Sequence, residues 1–204
     1  MTPQQIDKAA SALISARKDN KMMAGLENGL TPATMDEGYA IQDAFMRQWD
    51  EPIAGWKVAA TAEKIQLIYG VDEPFSGAFY APTTFASPAM PKAGAFGHFC
   101  IESEFAFRFG STLAARERAY GREEILGAVE AALPAFELIS PRFDTLLQDR
   151  AALAAADCAL NGGFVLGEDY ADWRSLDLAA HPVRLTIDDE VRAEGTGADV
   201  LGHP

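Results

Sequence analysis

From Gln4 onward the apolar residues Ile6, Ala9, Ala10, Leu13 and Ile14 recur at steps of three and four, the spacing of one helical face. Thr2 stands where an N-cap belongs and Pro3 suits a first turn, so the chain is predicted to open with an amphipathic helix. Thr34 followed by Glu37 has the form of a capping box, and Met35, Tyr39, Gln42, Phe45, Met46 and Trp49 line one face of a second helix running to about Gln48. Gly25 to Pro32 joins the two, and Asp50-Glu51-Pro52 closes the helical section.

The pattern then changes. Ile53 to Ala60 reads as a strand, and Thr61 is placed to cap a short helix that ends at Gly70. Pro74 to Gly97 lacks a period and predicts loop with short extended pieces. Phe99 to Phe109 alternates: Ile101, Ser103, Phe105, Phe107 and Phe109 form a core face, with Glu102, Glu104, Ala106 and Arg108 opposite. The helical period returns over Arg122 to Leu133, Pro134 starts an extended run through Ser140, Leu153 to Leu160 predicts an Ala-rich helix, and Gly162 to Gly167 is extended. Val183, Leu185 and Ile187 alternate up to a hairpin tip at Asp188-Asp189. Short helices and strands after a helical beginning predict an α+β fold rather than a doubly wound sheet, with a helical portion over 1–52 and a β portion over 53–204. Gly202-His203-Pro204 follows a Gly-rich turn with no closing element, which predicts strands left without partners.

The chain has 204 residues, enough for one compact core. Its 17 Lys and Arg against 30 Asp and Glu give a net charge of −13, a field that repels phosphate backbones and anionic membranes and argues against a nucleic-acid partner. No apolar run reaches the length of a bilayer, and Asp7, Lys8, Arg17, Lys18 and Asp19 interrupt what a signal peptide would keep apolar. Cys100 and Cys158, too sparse for a disulfide framework, fit a reducing cytoplasm and read as small core residues. His98, His181 and His203 lack metal or nucleophile spacing.

Glu102 and Glu104, two apart on a strand, project from one face with backbones roughly 6.5 to 7 Å apart. At about 5 Å and an effective dielectric near 20 their repulsion is roughly 3 kcal/mol, which solvent dilutes and a divalent cation reverses. A solvated strand face is the plainer alternative. Glu137 lies in the apolar run Leu133-Pro134-Ala135-Phe136-Glu137-Leu138-Ile139, where a carboxylate needs a partner, either a shared cation or a structural ion pair. Three carboxylates without clustered Cys or His favour Mg²⁺ or Mn²⁺ over Zn²⁺. Lys57, in Gly55-Trp56-Lys57-Val58, is a lone cation in an apolar strand: a proton-transfer group if desolvated, a snorkelling side chain otherwise.

In order, Gly55-Trp56-Lys57-Val58, Gly70-Val71-Asp72-Glu73-Pro74, Glu102-Ser103-Glu104-Phe105, Leu133 to Ile139, Gly162-Gly163-Phe164-Val165-Leu166-Gly167 and Gly202-His203-Pro204 resemble the 2-keto-4-pentenoate hydratase and 2-oxo-3-hexenedioate decarboxylase family of the fumarylacetoacetate hydrolase superfamily. The resemblance implies a mixed β-roll after the helices, a divalent cation on Glu102, Glu104 and Glu137, proton transfer by Lys57, and substrate contacts from Asp72, Asp157 and Asn161. It implies a lyase of aromatic catabolism acting on a small 2-oxo acid, cytoplasmic as the sparse cysteines suggest. Strands left without partners predict a homo-oligomer, since a second chain is the nearest source of those partners. The activity would be hydration of a 2-hydroxy-2,4-dienoate, with decarboxylation or a non-catalytic truncated member as alternatives. The chain departs from the family at Phe75, where many relatives carry an acid, and at Cys158, where they commonly carry Asn. The elements that follow Gly-His-Pro in relatives are expected to be missing.

Overall fold

The computed structural model describes residues 1–92, 94–97, 100–144 and 147–204; Phe99, the expected start of the alternating strand, and His98 lie outside them. Helix α1 (Pro3–Lys18) begins as its sequence dictates: Thr2 Oγ1 accepts from the Gln5 N–H at 3.3 Å, while Gln5 Oε1 accepts from the Thr2 N–H at 2.8 Å. Such a reciprocal cap contributes about 1 kcal/mol. Helix α2 (Met35–Gln48) is capped by Thr34, but the Glu37 carboxylate accepts from the Ala33 N–H at 2.8 Å and pairs with the Met1 amino group. The second helix thereby tethers the start of the chain.

Strand β1 (Ile53–Ala59) is followed by α3 (Glu63–Tyr69) and by β2 (Phe75–Tyr80), which pairs antiparallel with β1. Thr61 does not cap α3: Ala62 occupies the cap position, without a side-chain hydrogen bond, whereas Gly70 ends the helix in left-handed backbone at φ 68 as expected. Next come β3 (Thr84–Ala86), β4 (Cys100–Phe109), α4 (Arg122–Ala128) and β5 (Val129–Ile139). Here a helical expectation fails, because the chain turns extended at Val129 and runs through Pro134 rather than staying helical to Leu133. Val129, Ala131, Leu133 and Ala135 are buried at every second position, so sheet pairing claims residues whose spacing also fits a helix.

Helix α5 (Ala151–Ala156) is shorter than expected. Cys158, Ala159 and Leu160 leave it with positive φ of 49, 52 and 64, a left-handed turn of three non-glycine residues before β6 (Asn161–Leu166). Strands β7 (Pro182–Ile187) and β8 (Glu190–Thr196) form the expected hairpin, with Asp188 and Asp189 both at positive φ in its tip. A four-stranded sheet runs in the order β3-β6-β5-β4, and the architecture is α+β. Among the described residues no helix is long and apolar enough to cross a membrane.

The chain divides into two compact units. The first comprises Met1–Phe85, Ala89–Glu102 and Glu137–Phe164. Its core joins Ala9, Leu13 and Ile14 of α1 to Ile41 and Phe45 of α2, Phe75 and Tyr80 of β2, and the small side chains of α5. A Cβ on Gly38 would sit 2.3 Å from the Ala152 carbonyl oxygen, so α2 meets α5 at a distance only glycine allows. The second unit comprises Ala86–Pro88, Ser103–Phe136 and Val165–Pro204, and its smaller core packs Phe105 and Phe107 against Val129, Trp173 and Leu178. Phe109 lies beyond that cluster and is exposed, which corrects the reading of a uniform core face along β4.

Candidate metal centre

Lys57 is built into the fold by an inversion on β1. Its neighbours Trp56 and Val58 face solvent, while Lys57 itself is 7% exposed. Opposite it on β2 stands Gly77, where a Cβ would lie 2.2 Å from the Cys158 carbonyl oxygen. The absent side chain lets the left-handed turn after α5 come down onto the sheet. That turn brings the Ala159 carbonyl to 3.4 Å from Lys57 Nζ, and the ammonium lies 2.8 Å from Glu137 Oε2. The snorkelling alternative is excluded, and the partner that Glu137 requires within its apolar strand includes this lysine.

Glu137 is fully buried near the end of β5, and its other oxygen accepts from Asn161 Nδ2 at 2.9 Å. Glu102 and Glu104 approach it from β4: one carboxylate oxygen from each of the three lies within 4.8 Å of the others. At an effective dielectric of 20, each such pair of charges repels by roughly 3 kcal/mol, and one ammonium offsets only part of that. Desolvation raises the Glu102 carboxyl above its ordinary value, and Glu137 adds to the effect while Lys57 opposes it. Three oxygen donors with excess negative charge suit a hard divalent cation. Asn161 Oδ1, buried without a hydrogen-bond partner, is a further unused acceptor beside Glu137.

The other expected site residues have different surroundings. Asp72 is in the exposed turn after α3, and among the described residues its carboxylate makes no hydrogen bond or ion pair. Asp157 is buried and committed to Arg142, taking Nε at 2.6 Å on one oxygen and the backbone N–H at 3.0 Å on the other. Asn161 does join the cluster. Of the cysteines, Cys158 is buried as expected, but Cys100 is exposed, and partial desolvation with the nearby Glu102 and Glu137 pushes its thiol up.

Tyr69 was not anticipated. Burial holds its hydroxyl above the ordinary phenol value, and the charges of Lys57, Glu102 and Glu137 act on it. Its ring stacks edge-on against Phe75 at 5.5 Å, so Phe75, expected to depart from the family pattern, packs in the core. Arg142 was missed as well, although a lone Asp157 within an Ala-rich run signalled the need for a buried cation.

Known proteins share this frame. A solved 4-oxalocrotonate decarboxylase from Pseudomonas putida G7, complexed with magnesium and adipate, superposes with a TM-score of 0.90 at 22% identity, over 100% of this chain and 77% of that one. The chain therefore shares the fold of that decarboxylase. In sequence, a 2-keto-4-pentenoate hydratase of Paraburkholderia xenovorans is 30% identical over 207 residues, covering 100% of this chain and 76% of the relative. A 2-keto-4-pentenoate hydratase 2 of Dechloromonas aromatica is 29% identical over 201 residues, covering 97% and 76%. No protein-family model matches the chain. On these relatives, the chain belongs to the 2-keto-4-pentenoate hydratase family, whose members are lyases.

Proposed function

We propose that this protein is a divalent-metal-dependent hydratase that adds water to a 2-hydroxy-2,4-dienoate, giving a 4-hydroxy-2-oxo acid. The observation that carries the reading is the convergence of Glu102, Glu104 and Glu137 with Lys57 ion-paired to one of them, in a chain 30% identical to a named hydratase. Glu102, Glu104 and Glu137 would hold Mg²⁺ or Mn²⁺, which supplies positive charge opposite the substrate's carboxylate and 2-oxygen. The division into a helical portion over 1–52 and a catalytic β portion over 53–204 is part of the same proposal.

The chain's own groups divide the remaining work. Asn161 Nδ2 fixes the orientation of the Glu137 carboxylate, and the left-handed turn with its Ala159 carbonyl fixes Lys57 Nζ. Lys57 delivers a proton from its Nζ to C5 of the dienol while the 2-hydroxyl gives up its proton, directly or through water, so that Lys57 is restored and the dienol becomes a 2-oxo-3-enoate. Water then adds across that enone, oxygen to C4 and hydrogen to C3. Substrate contacts from Asp72 and Asp157 carry less weight in this proposal, since Asp72 is exposed without a described hydrogen bond or ion pair and Asp157 is spent on Arg142.

The test is loss of the dienol ultraviolet band of 2-hydroxypenta-2,4-dienoate, with and without Mg²⁺ or Mn²⁺. Metal-dependent turnover that a chelator abolishes and Lys57→Met removes is expected. Absence of turnover with either metal overturns the reading. Carbon dioxide released from 2-oxo-3-hexenedioate, without hydration of the dienoate, would transfer the site to decarboxylation, for which the fold likeness and a 4-oxalocrotonate decarboxylase relative at 25% identity speak.

A further inference from the structure

A cavity of about 160 Å³ lies within the first unit, and none of Lys57, Glu102, Glu104 or Glu137 lines it. Its wall includes Arg17, Arg142, Trp49, Tyr80 and Phe96. The two arginines differ in kind. Arg142 is neutralised by Asp157 at 2.6 Å. Arg17 has no carboxylate within ion-pair distance among the described residues; its guanidinium donates to the Asn161 carbonyl and lies 5.6, 5.7 and 5.6 Å from the ring centroids of Phe45, Trp49 and Tyr80.

A guanidinium has five N–H donors, so several of Arg17's are left over. Burial, with Arg142 nearby, lowers its pKa to about 10, which still leaves it charged at neutrality. Among the described residues Arg17 thus has no carboxylate in direct contact, with Asp157 acting on it only at longer range, in a chain whose net charge is −13. A second unused donor stands in the same wall: the indole N–H of Trp49 is buried with no hydrogen-bond partner. A guanidinium and an indole N–H offer two kinds of donor to one anionic group, and the rings of Trp49, Tyr80 and Phe96 offer apolar faces to whatever carries it. Glu51, also in the lining, disfavours a dianion such as phosphate.

We propose that this cavity binds a small monocarboxylate with a flat, unsaturated or aromatic body, its carboxylate on Arg17 and its body against the aromatic wall. No residue of the acidic cluster lines the cavity, although Asn161 joins the two, its carbonyl accepting from Arg17 and its side chain donating to Glu137. Benzoate binding and metal binding are read separately, so the failure of one assignment is distinguishable from the failure of the other.

Benzoate is the probe, because it lacks the 2-oxo group a metal would chelate. Calorimetry and tryptophan fluorescence of the full chain should show saturable binding at unit stoichiometry, unchanged by Mg²⁺. Benzamide, with the same ring and no charge, should bind at least about tenfold more weakly, and Arg17→Met should weaken benzoate by a similar factor. Should Arg17→Met fail to fold, the wild type decides: benzoate raises Tm and benzamide does not. Absence of saturation, equal binding of benzamide, tighter binding of inorganic phosphate, or no benzoate effect on Tm each overturns the proposal.

Discussion

Lys57→Met removes an ammonium 2.8 Å from Glu137 Oε2, where the two side chains are 6% and 0% exposed. Methionine fills a similar stem volume, so the change is chiefly one of charge. At that distance and an effective dielectric of 20 the lost attraction is about 6 kcal/mol, from which the desolvation no longer borne by the lysine is subtracted. Removing one member of a buried pair costs about 3 to 5 kcal/mol, because Glu137 keeps only the Asn161 N–H at 2.9 Å. For a chain of this size each kcal/mol moves Tm by roughly 2 to 4 °C. Denaturant unfolding of the metal-free protein should therefore show Lys57→Met at least about 3 kcal/mol less stable than wild type. Lys57→Met with Glu137→Gln should recover part of that loss, since no buried charge is then unpaired. Saturating Mg²⁺ should stabilise Lys57→Met more than wild type, by meeting the carboxylate charge the lysine no longer meets. A loss below about 1 kcal/mol, or equal stabilisation by Mg²⁺ in both proteins, would refute the account of Lys57 as the internal counter-charge of the site.

Asp157→Asn leaves the Arg142 guanidinium buried without its counter-charge and should cost about 3 to 5 kcal/mol in denaturant unfolding; a change within about 0.5 kcal/mol would show that the pair has no structural weight. Gly38→Ala places a methyl carbon 2.3 Å from the Ala152 carbonyl, so α2 and α5 must separate, with an expected loss of about 1 to 3 kcal/mol and a lower Tm. Because Glu102 is held above its unfolded-state pKa, its charged form destabilises the metal-free fold, fully above the folded value and not at all below the ordinary carboxylate range. Glu102→Gln should accordingly raise Tm near neutrality and leave it unchanged in acid, and a scan showing the opposite order would remove the stated strain. Protons compete for the same carboxylate, so Mg²⁺ affinity should fall on acidification sooner than three ordinary carboxylates would require, as calorimetry across pH can show.

Local rules carried much of the fold. The caps at Thr2 and Thr34, the stop at Gly70 and the turn at Asp188-Asp189 depend on residues within a few positions of one another, and they read correctly from spacing. Val129 to Leu133 did not, because a spacing of three and four also contains alternate positions, and the choice between them was made by a sheet whose other strands are distant in sequence. The acidic cluster was legible for a related reason: carboxylates in apolar strands are costly enough to demand company, which made Glu102, Glu104 and Glu137 conspicuous. Tyr69 and Arg17 were not, since a tyrosine or an arginine on an amphipathic helix has the plain role of a boundary residue until tertiary packing closes around it.

The left-handed turn at Cys158, Ala159 and Leu160 has a consequence for how this protein tolerates sequence drift. What it presents to Lys57 is the main-chain oxygen of residue 159, an atom common to all twenty amino acids. Alanine scanning cannot delete it, and a comparison of side chains will pass over it. The lysine's anchor is encoded indirectly, in Gly77, whose hydrogen leaves room for the turn, and in a backbone bend that costs roughly 1 to 2 kcal/mol per residue without a glycine. Exchange of Ala159 for glycine should thus leave the acceptor chemically intact while freeing it to wander, and loss of turnover without loss of fold would be its signature. Replacing the amide at that position with an ester, which weakens the carbonyl as an acceptor, would be the direct way to address an atom that heredity cannot edit.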